Sequence, residues 1–172
     1  MQLLEIKSED KLWAIQEVGQ YFIKRGYKII DIDVLRPWGF YFYFDRQQTK
    51  KFVDEFFAGV ELKGIDTKLP LQPKVLVFEQ GKRLSWQYHG RRAEIWRCIT
   101  RNCWVMTSDT DMQSSPRTIK FGEVVNSTAG MRHRAGSTDG WGAVAEIWQH
   151  TDPSNPSNEE DVVRLQDDYG RK

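Results

Sequence analysis

From about Pro73 to Trp148 the chain is a series of short apolar runs, each ended within a few residues by Gly, Asp, Ser or Asn. Runs of that length suit strands, whereas packed helices need longer uninterrupted patterns. The segments 74–79, 83–89, 94–100, 104–108, 117–121, 123–126 and 142–148 read as strands at nearly regular spacing, the pattern of an antiparallel sandwich or barrel. Seven Trp and an aromatic share of 13% favour the same architecture, because such side chains pack well on pleated surfaces.

Upstream the texture is mixed. Ser8-Glu9-Asp10 offers a capped helix start, Leu12, Ile15, Val18, Tyr21 and Phe22 follow at helical spacing, and Gly26 is a natural stop. Residues 28–34 read as a strand interrupted by Arg36-Pro37-Trp38-Gly39. Phe40-Tyr41-Phe42-Tyr43-Phe44 is almost continuously aromatic, as in a strand covered on both faces. A second helical pattern runs over 47–59. Beyond His150 the composition is that of a loop, and 159–169 is predicted to be a short helix or a packed tail.

The expected fold class is therefore all-β dominated, an antiparallel β-barrel with N-terminal helical elements. A chain of 172 residues suffices for one well-buried core and is short for two, so a single domain spanning 1–172 is expected. Its parts would be N-terminal helices, first strands and a helical insertion (1–70), a barrel core (71–150) and a tail (151–172). Hydrophobic content of 40% with 28% charged residues is ordinary for a globular domain. A net charge of +1 gives no global attraction to nucleic acid or membrane. No apolar stretch approaches the roughly 20 residues of a spanning helix, and no signal-type start is present. Two cysteines, Cys98 and Cys103, are too few for a disulfide framework. They fit a reduced, cytoplasmic setting and read as small buried apolar side chains.

One spaced set of side chains carries chemistry. On a strand, residues two apart project from the same face, so Gln87 and His89 point together while Trp86 and Tyr88 point away. A turn at Gly90-Arg91-Arg92 would start the next strand and bring Glu94 beside that pair. With His133, inside Gly122-x5-Thr128-x-Gly130-x2-His133, two imidazoles, an amide oxygen and a carboxylate would converge on one point, a donor set suited to a divalent metal ion. Zinc is the first expectation, with manganese, iron, cobalt or nickel tolerated by the same donors. Glu94 has a competing reading as the salt-bridge partner of Arg91 or Arg92, and His150, lacking such a context, reads as structural.

Gly81-x5-Gln87-x-His89-x4-Glu94 resembles the first motif of the cupin superfamily, with Gln87 in place of its first His, and the Gly122 to His133 segment resembles the second. Leu84-Ser85-Trp86-Gln87-Tyr88-His89 followed by Arg92-Ala93-Glu94-Ile95-Trp96 is similar to type II phosphomannose isomerases and to the isomerase domain fused to mannose-1-phosphate guanylyltransferases. Arg36-Pro37-Trp38-Gly39 and Asp168-Tyr169-Gly170-Arg171 match that group's entry and exit motifs. Ala145-Glu146-Ile147-Trp148-Gln149-His150 resembles stand-alone cupin sugar-phosphate isomerases, some of the phosphoheptose type. Arg101 and Thr128 replace residues usual at the motifs' turns, and Gly90 and Arg91 stand where further His often occur. The resemblance implies a jelly-roll barrel and a metal-dependent aldose–ketose isomerase acting on a sugar phosphate, mannose 6-phosphate first.

Such a reaction needs a proton carrier close to the metal. Glu146, Tyr88, Lys82 and Arg134 are the candidates, and the sequence does not rank them. Between Gly81 and Arg101 six basic residues face the single acid Glu94, so Arg83, Arg91 and Arg92, with Arg164 of the tail, are candidate phosphate ligands. Arg83 shares strand parity with Gln87 and His89 and is expected to face inward. A homodimer is a further expectation, because edge strands need covering. The alternatives are a non-catalytic, metal-containing sugar-binding cupin and an oxygen-using cupin, against which Gln87 argues.

Overall fold

The computed structural model describes residues 1–60 and 71–171. Helix α1 (Lys11–Lys24) starts where Asp10 accepts hydrogen bonds from the backbone of Leu12 and Trp13. It ends at Gly26, whose φ of +73° suits a residue without a Cβ. The buried face is Ala14, Val18 and Phe22, while Leu12, expected on it, is exposed. After strands β1 (Ile29–Asp33) and β2 (Gly39–Phe44), a short 3-10 turn leads into helix α2 (Thr49–Phe56), which buries Phe52 and Phe56. The rest is β: β3 (Leu71–Phe78), β4 (Trp86–Tyr88), β5 (Arg92–Cys98), β6 (Cys103–Ser108), β7 (Arg117–Thr118), β8 (Val124–Ser127), β9 (Arg132–Ser137), β10 (Gly142–His150) and β11 (Val163–Gln166).

The strands form two antiparallel sheets, ordered β1-β2-β3-β10-β5-β8 and β11-β4-β9-β6-β7. They face one another as a jelly roll and are not hydrogen-bonded into a closed barrel. The larger sheet is apolar on both faces. Phe40, Phe42, Phe44, Val75, Val77, Ile95, Ala143, Ala145 and Ile147 pack under the helices with Val18, Phe22, Phe52 and Phe56. Their neighbours of opposite parity, Tyr41, Leu76, Phe78, Trp96, Cys98 and Val144, pack between the sheets with Leu84, Val105 and Ala135. The continuous aromatic run of β2 thus has its physical reason in the two-residue repeat of a strand that is buried twice. Burying each of these phenylalanines contributes about 2 kcal/mol.

Of the two readings of 159–169, the packed tail holds and the helix does not: the segment supplies β11, which pairs with β4. Strand β9, absent from the strands read in the sequence, runs through Arg132-His133-Arg134, where charged side chains hide the alternation. Residues 61–70 of the expected insertion lie outside the described residues.

Arg36-Pro37-Trp38-Gly39 makes a turn that only glycine can close. Gly39 has φ +149°, and a Cβ there would lie 1.9 Å from the Val77 carbonyl oxygen on the neighbouring strand. Gly81, also at positive φ, has open space around it. Chemical denaturation is expected to show a loss of about 3 kcal/mol for Gly39→Ala, a backbone clash, against about 1 kcal/mol for Gly81→Ala, which meets only the conformational cost. Equal losses would show that the close approach to β3 is unimportant.

Candidate metal centre

The cavity lies between the sheets at their polar end. Gln87 on β4 sits directly opposite His133 on β9, so both project from one face of the smaller sheet. Glu94 faces them from β5, and His89 follows β4 immediately. Ligand atoms of His89, Glu94 and His133 lie within 4.8 Å of one another, and all three residues are buried.

The hydrogen bonds fix how these groups point. His89 donates its Nδ1–H to the carbonyl of Asp161, and His133 donates its own to the carbonyl of Met131 at 2.9 Å. A carbonyl only accepts, so each neutral ring turns an Nε2 lone pair toward Glu94. The separations are 3.2 Å from His89 to Oε1 and 3.5 Å from His133 to Oε2. Burial pushes His89 down to about 3 and lowers His133 as well, so neither imidazole carries a proton near neutrality. Burial acts to raise Glu94, but the imidazoles that face it, Arg92 at hydrogen-bonding distance and Lys74 outweigh it and hold the carboxyl at about 2.

Three lone-pair groups thus converge with no proton to share, and His133 Nε2 has no hydrogen-bond partner among the described residues. That electrostatic repulsion is relieved by a cation at their common centre, and the set of two imidazoles and one carboxylate fits a first-row divalent ion. Arg92 competes in part: its guanidinium donates to Glu94 Oε1 at 2.8 Å and to His89 Nε2 at 3.2 Å. The ion-pair reading of Glu94 describes a real contact, made by Arg92, while Arg91 pairs with Asp161; the same carboxylate faces both imidazoles. Gln87 presents its amide nitrogen 3.5 Å from His89 while its oxygen accepts from Ser85 at 2.5 Å, so ligation by Gln87 requires the amide to turn over.

Of the candidate proton carriers, Glu146 alone lines the cavity. It faces inward on β10, accepts from Trp96 Nε1 at 2.7 Å and lies 4.0 Å from the Lys74 ammonium. Burial, with the nearby Glu94 carboxylate, pushes its carboxyl up to about 7. Tyr88, Lys82 and Arg134 do not line the cavity. Tyr88 lies beneath the Arg132 guanidinium, 4.6 Å from its ring centre, and Arg134 is spent on the Gln166 carbonyl of β11 at 2.9 Å.

Among the proposed phosphate ligands, Arg92 and Arg164 line the cavity and the other two do not. Arg83 faces away, contrary to its parity, because β4 begins only at Trp86; its guanidinium pairs with Asp168 at 2.6 Å. Arg91 holds the tail through Asn155 and the Pro156 carbonyl. His150 is structural, accepting from the Ser157 backbone at 2.9 Å. Lys74 and Glu159 also line the cavity and were not singled out in the sequence. A lone lysine within the apolar run of β3 was a readable signal; nothing marked Glu159.

Elemental analysis should find one equivalent of divalent metal in the wild-type protein. Since losing even an outer partner of a metal ligand costs roughly 10- to 100-fold in affinity, His133→Ala should weaken binding by at least about 100-fold. The rise in melting temperature on adding metal should vanish with it. Equal metal uptake by both proteins would remove the site.

No family pattern matches the sequence, and no curated protein is similar to it. Solved structures are. An oxalate decarboxylase from Bacillus subtilis superposes with a TM-score of 0.54 at 12% identity, over 76% of this chain and 29% of that one. An oxalate oxidase gives 0.45 at 15% identity, over 55% and 46%. A protein from Acidithiobacillus ferrooxidans classed as a sugar phosphate isomerase gives 0.40 at 13%, over 46% and 49%. The matched region thus spans less than half the length of each of these proteins. Two facing antiparallel sheets with this order, superposing on the decarboxylase over three quarters of the chain, give this protein a jelly-roll fold of the kind that the decarboxylase has.

Proposed function

We propose that the chain is a metal-dependent aldose–ketose isomerase acting on a sugar phosphate of the mannose 6-phosphate/fructose 6-phosphate kind. One observation carries the reading: a buried carboxyl, Glu146, poised at about 7, shares one cavity with His89 and Glu94, behind which His133 completes the cluster. A general base works best when its pKa lies near the working pH, and few buried carboxylates have a structural reason to sit there.

A divalent ion held by His89, Glu94 and His133, with Gln87 after its amide turns, would supply Lewis acidity to neighbouring sugar oxygens. The chain's own groups account for the proton. Glu146 in its ionised form takes the proton from C2 of the aldose and returns it to C1, while the O2 hydroxyl proton passes to O1, which leaves the ketose. Trp96 holds one carboxylate oxygen by its indole N–H, so the other faces the cavity. Lys74, 4.0 Å away, favours the ionised form and steadies negative charge as it develops on the sugar oxygens.

Glu146→Gln should lower kcat by roughly 10²- to 10⁴-fold, the usual worth of a positioned base, with metal content unchanged. Because the ionised carboxyl is the active form, kcat/KM should rise with pH through about 7 in the wild type, and that limb should be missing in the residual activity of the variant. The assay is a panel of hexose, pentose and heptose phosphates, read also as exchange at C2 in deuterated water. Failure of metal-loaded protein on every member would end the reading, as would a variant with wild-type rate and pH profile.

A second reading has its own support in the grip of Arg92 on His89 and Glu94, which supplies part of the counter-charge a metal would bring. The chain would then bind a sugar without converting it. Saturable binding with no exchange at C2 would favour it.

A further inference from the structure

Cations from four separate parts of the chain line the cavity beyond the metal cluster: Arg36 in the turn before β2, Lys74 on β3, Arg164 on β11 and Arg171 in the tail. Three carboxylates line the same cavity among the described residues. Glu94 and Glu146 are buried, and Glu159 is exposed. Glu159 nevertheless reaches in. Its Oε1 accepts from Lys74 Nζ at 3.2 Å and from the hydroxyl of Tyr43, and its Oε2 lies 3.9 Å from the Arg36 guanidinium.

Lys74 explains why an oxyanion is held there. Its ammonium is buried, flanked by the rings of Tyr41 at 4.2 Å and Tyr43 at 4.8 Å, and a buried cation is costly without an anion against it. Arg164 lines the same cavity, where Asp167 and Glu159 partly offset the burial and the like charges of Arg171 and Arg36 that lower its pKa. Asp33 already pairs with Arg36 at 2.7 Å and Asp167 with Arg171 at 2.5 Å, so the match is one of geometry: a phosphate monoester brings three acceptor oxygens where the carboxylate offers two. The centre of a water molecule can occupy only about 50 Å³ of the cleft, so a sugar phosphate needs room that withdrawal of Glu159 provides. That side chain sits on an irregular segment between β10 and β11, with its outer part already in solvent.

We propose that the position held by the Glu159 carboxylate, against Lys74 and Arg36 in the cavity that Arg164 also lines, is the phosphate subsite, and that a phosphate monoester enters by displacing Glu159 into solvent. The substrate class rests on the isomerase reading; the subsite is testable without it. Glu159 then acts as an internal competitor, admitting ligands that carry enough charge to replace it and excluding neutral sugars.

The test is calorimetric titration of the metal-free full-length protein with inorganic phosphate, with a hexose 6-phosphate and with the unphosphorylated hexose. Glu159→Gln should tighten inorganic phosphate several-fold, a gain that an unfolded variant cannot produce. Arg164→Gln should weaken it by about tenfold or more, the worth of a lost charged hydrogen bond. The hexose phosphate should bind at least as tightly as phosphate, and the free hexose far more weakly. Phosphate affinity unchanged in both variants, or weakened by Glu159→Gln, overturns the subsite, and so does exclusion of the hexose phosphate while inorganic phosphate binds. The two ideas separate cleanly. A silent isomerase panel with these affinity changes intact removes the isomerase and leaves the subsite, while turnover with unaltered phosphate affinity does the reverse.

Discussion

The register of three neighbouring strands decides what the interior contains. Strand β10 lies between β3 and β5, setting Glu146 opposite Lys74 on one side and Trp96 on the other, and Trp148 opposite Glu94. Because side chains alternate, these residues face the smaller sheet while Ala143, Ala145 and Ile147 face the helices. A slip of one residue would drive Glu146, Lys74 and Glu94 into the phenylalanine cluster under α1 and α2, leaving buried charges without partners. Helices covering the outer face therefore do more than add stability. They make the wrong register prohibitively costly and so hold the chemical groups in place.

Within that frame the electrostatics are tightly shared. Arg92 contacts Glu94 and His89, lies over the Trp148 ring at 4.3 Å and donates to the Asn158 carbonyl at 2.9 Å. One guanidinium thus balances the buried carboxylate, orients an aromatic and fastens the tail. Glu94 and Glu146 lie in the same cavity yet titrate at opposite ends of the carboxylate range. Glu94 has Arg92 at hydrogen-bonding distance, whereas Glu146 has only a lysine 4.0 Å away and an indole N–H. Two acids separated by environment in this way can take different roles, one fixed in its charge and the other able to exchange a proton.

Much of this was legible in the sequence, for reasons that differ residue by residue. The all-β core, the two N-terminal helices and the doubly covered β2 follow from periodicity, which burial imposes directly. His89 and Glu94 were readable as neighbours because a short strand and a tight turn leave little freedom between them, whereas His133 entered through the motif resemblance and not through local spacing. What escaped was set by partners distant in the chain. Strand β9 is built from Arg, His, Gly and Ser, and its strand character comes from pairing with β4 and β6 rather than from local preference. β11 likewise exists through its pairing with β4. Arg83 has the parity of Gln87 and His89, but parity means nothing before a strand starts, and Asp168 draws it outward. Lys74 and Glu159 meet across 85 residues of sequence, a separation no local pattern encodes.

The Asp161 carbonyl accepts the proton-bearing nitrogen of His89, and its carboxylate accepts from the backbone of Gly90 and Arg91, each at 3.0 Å. An imidazole of the cluster is therefore aimed by a residue more than seventy positions downstream. Until that late segment docks, the ring is free to rotate and either nitrogen can carry the proton. The cluster is therefore set in its final arrangement only once the segment around Asp161 has docked against β4 and β5.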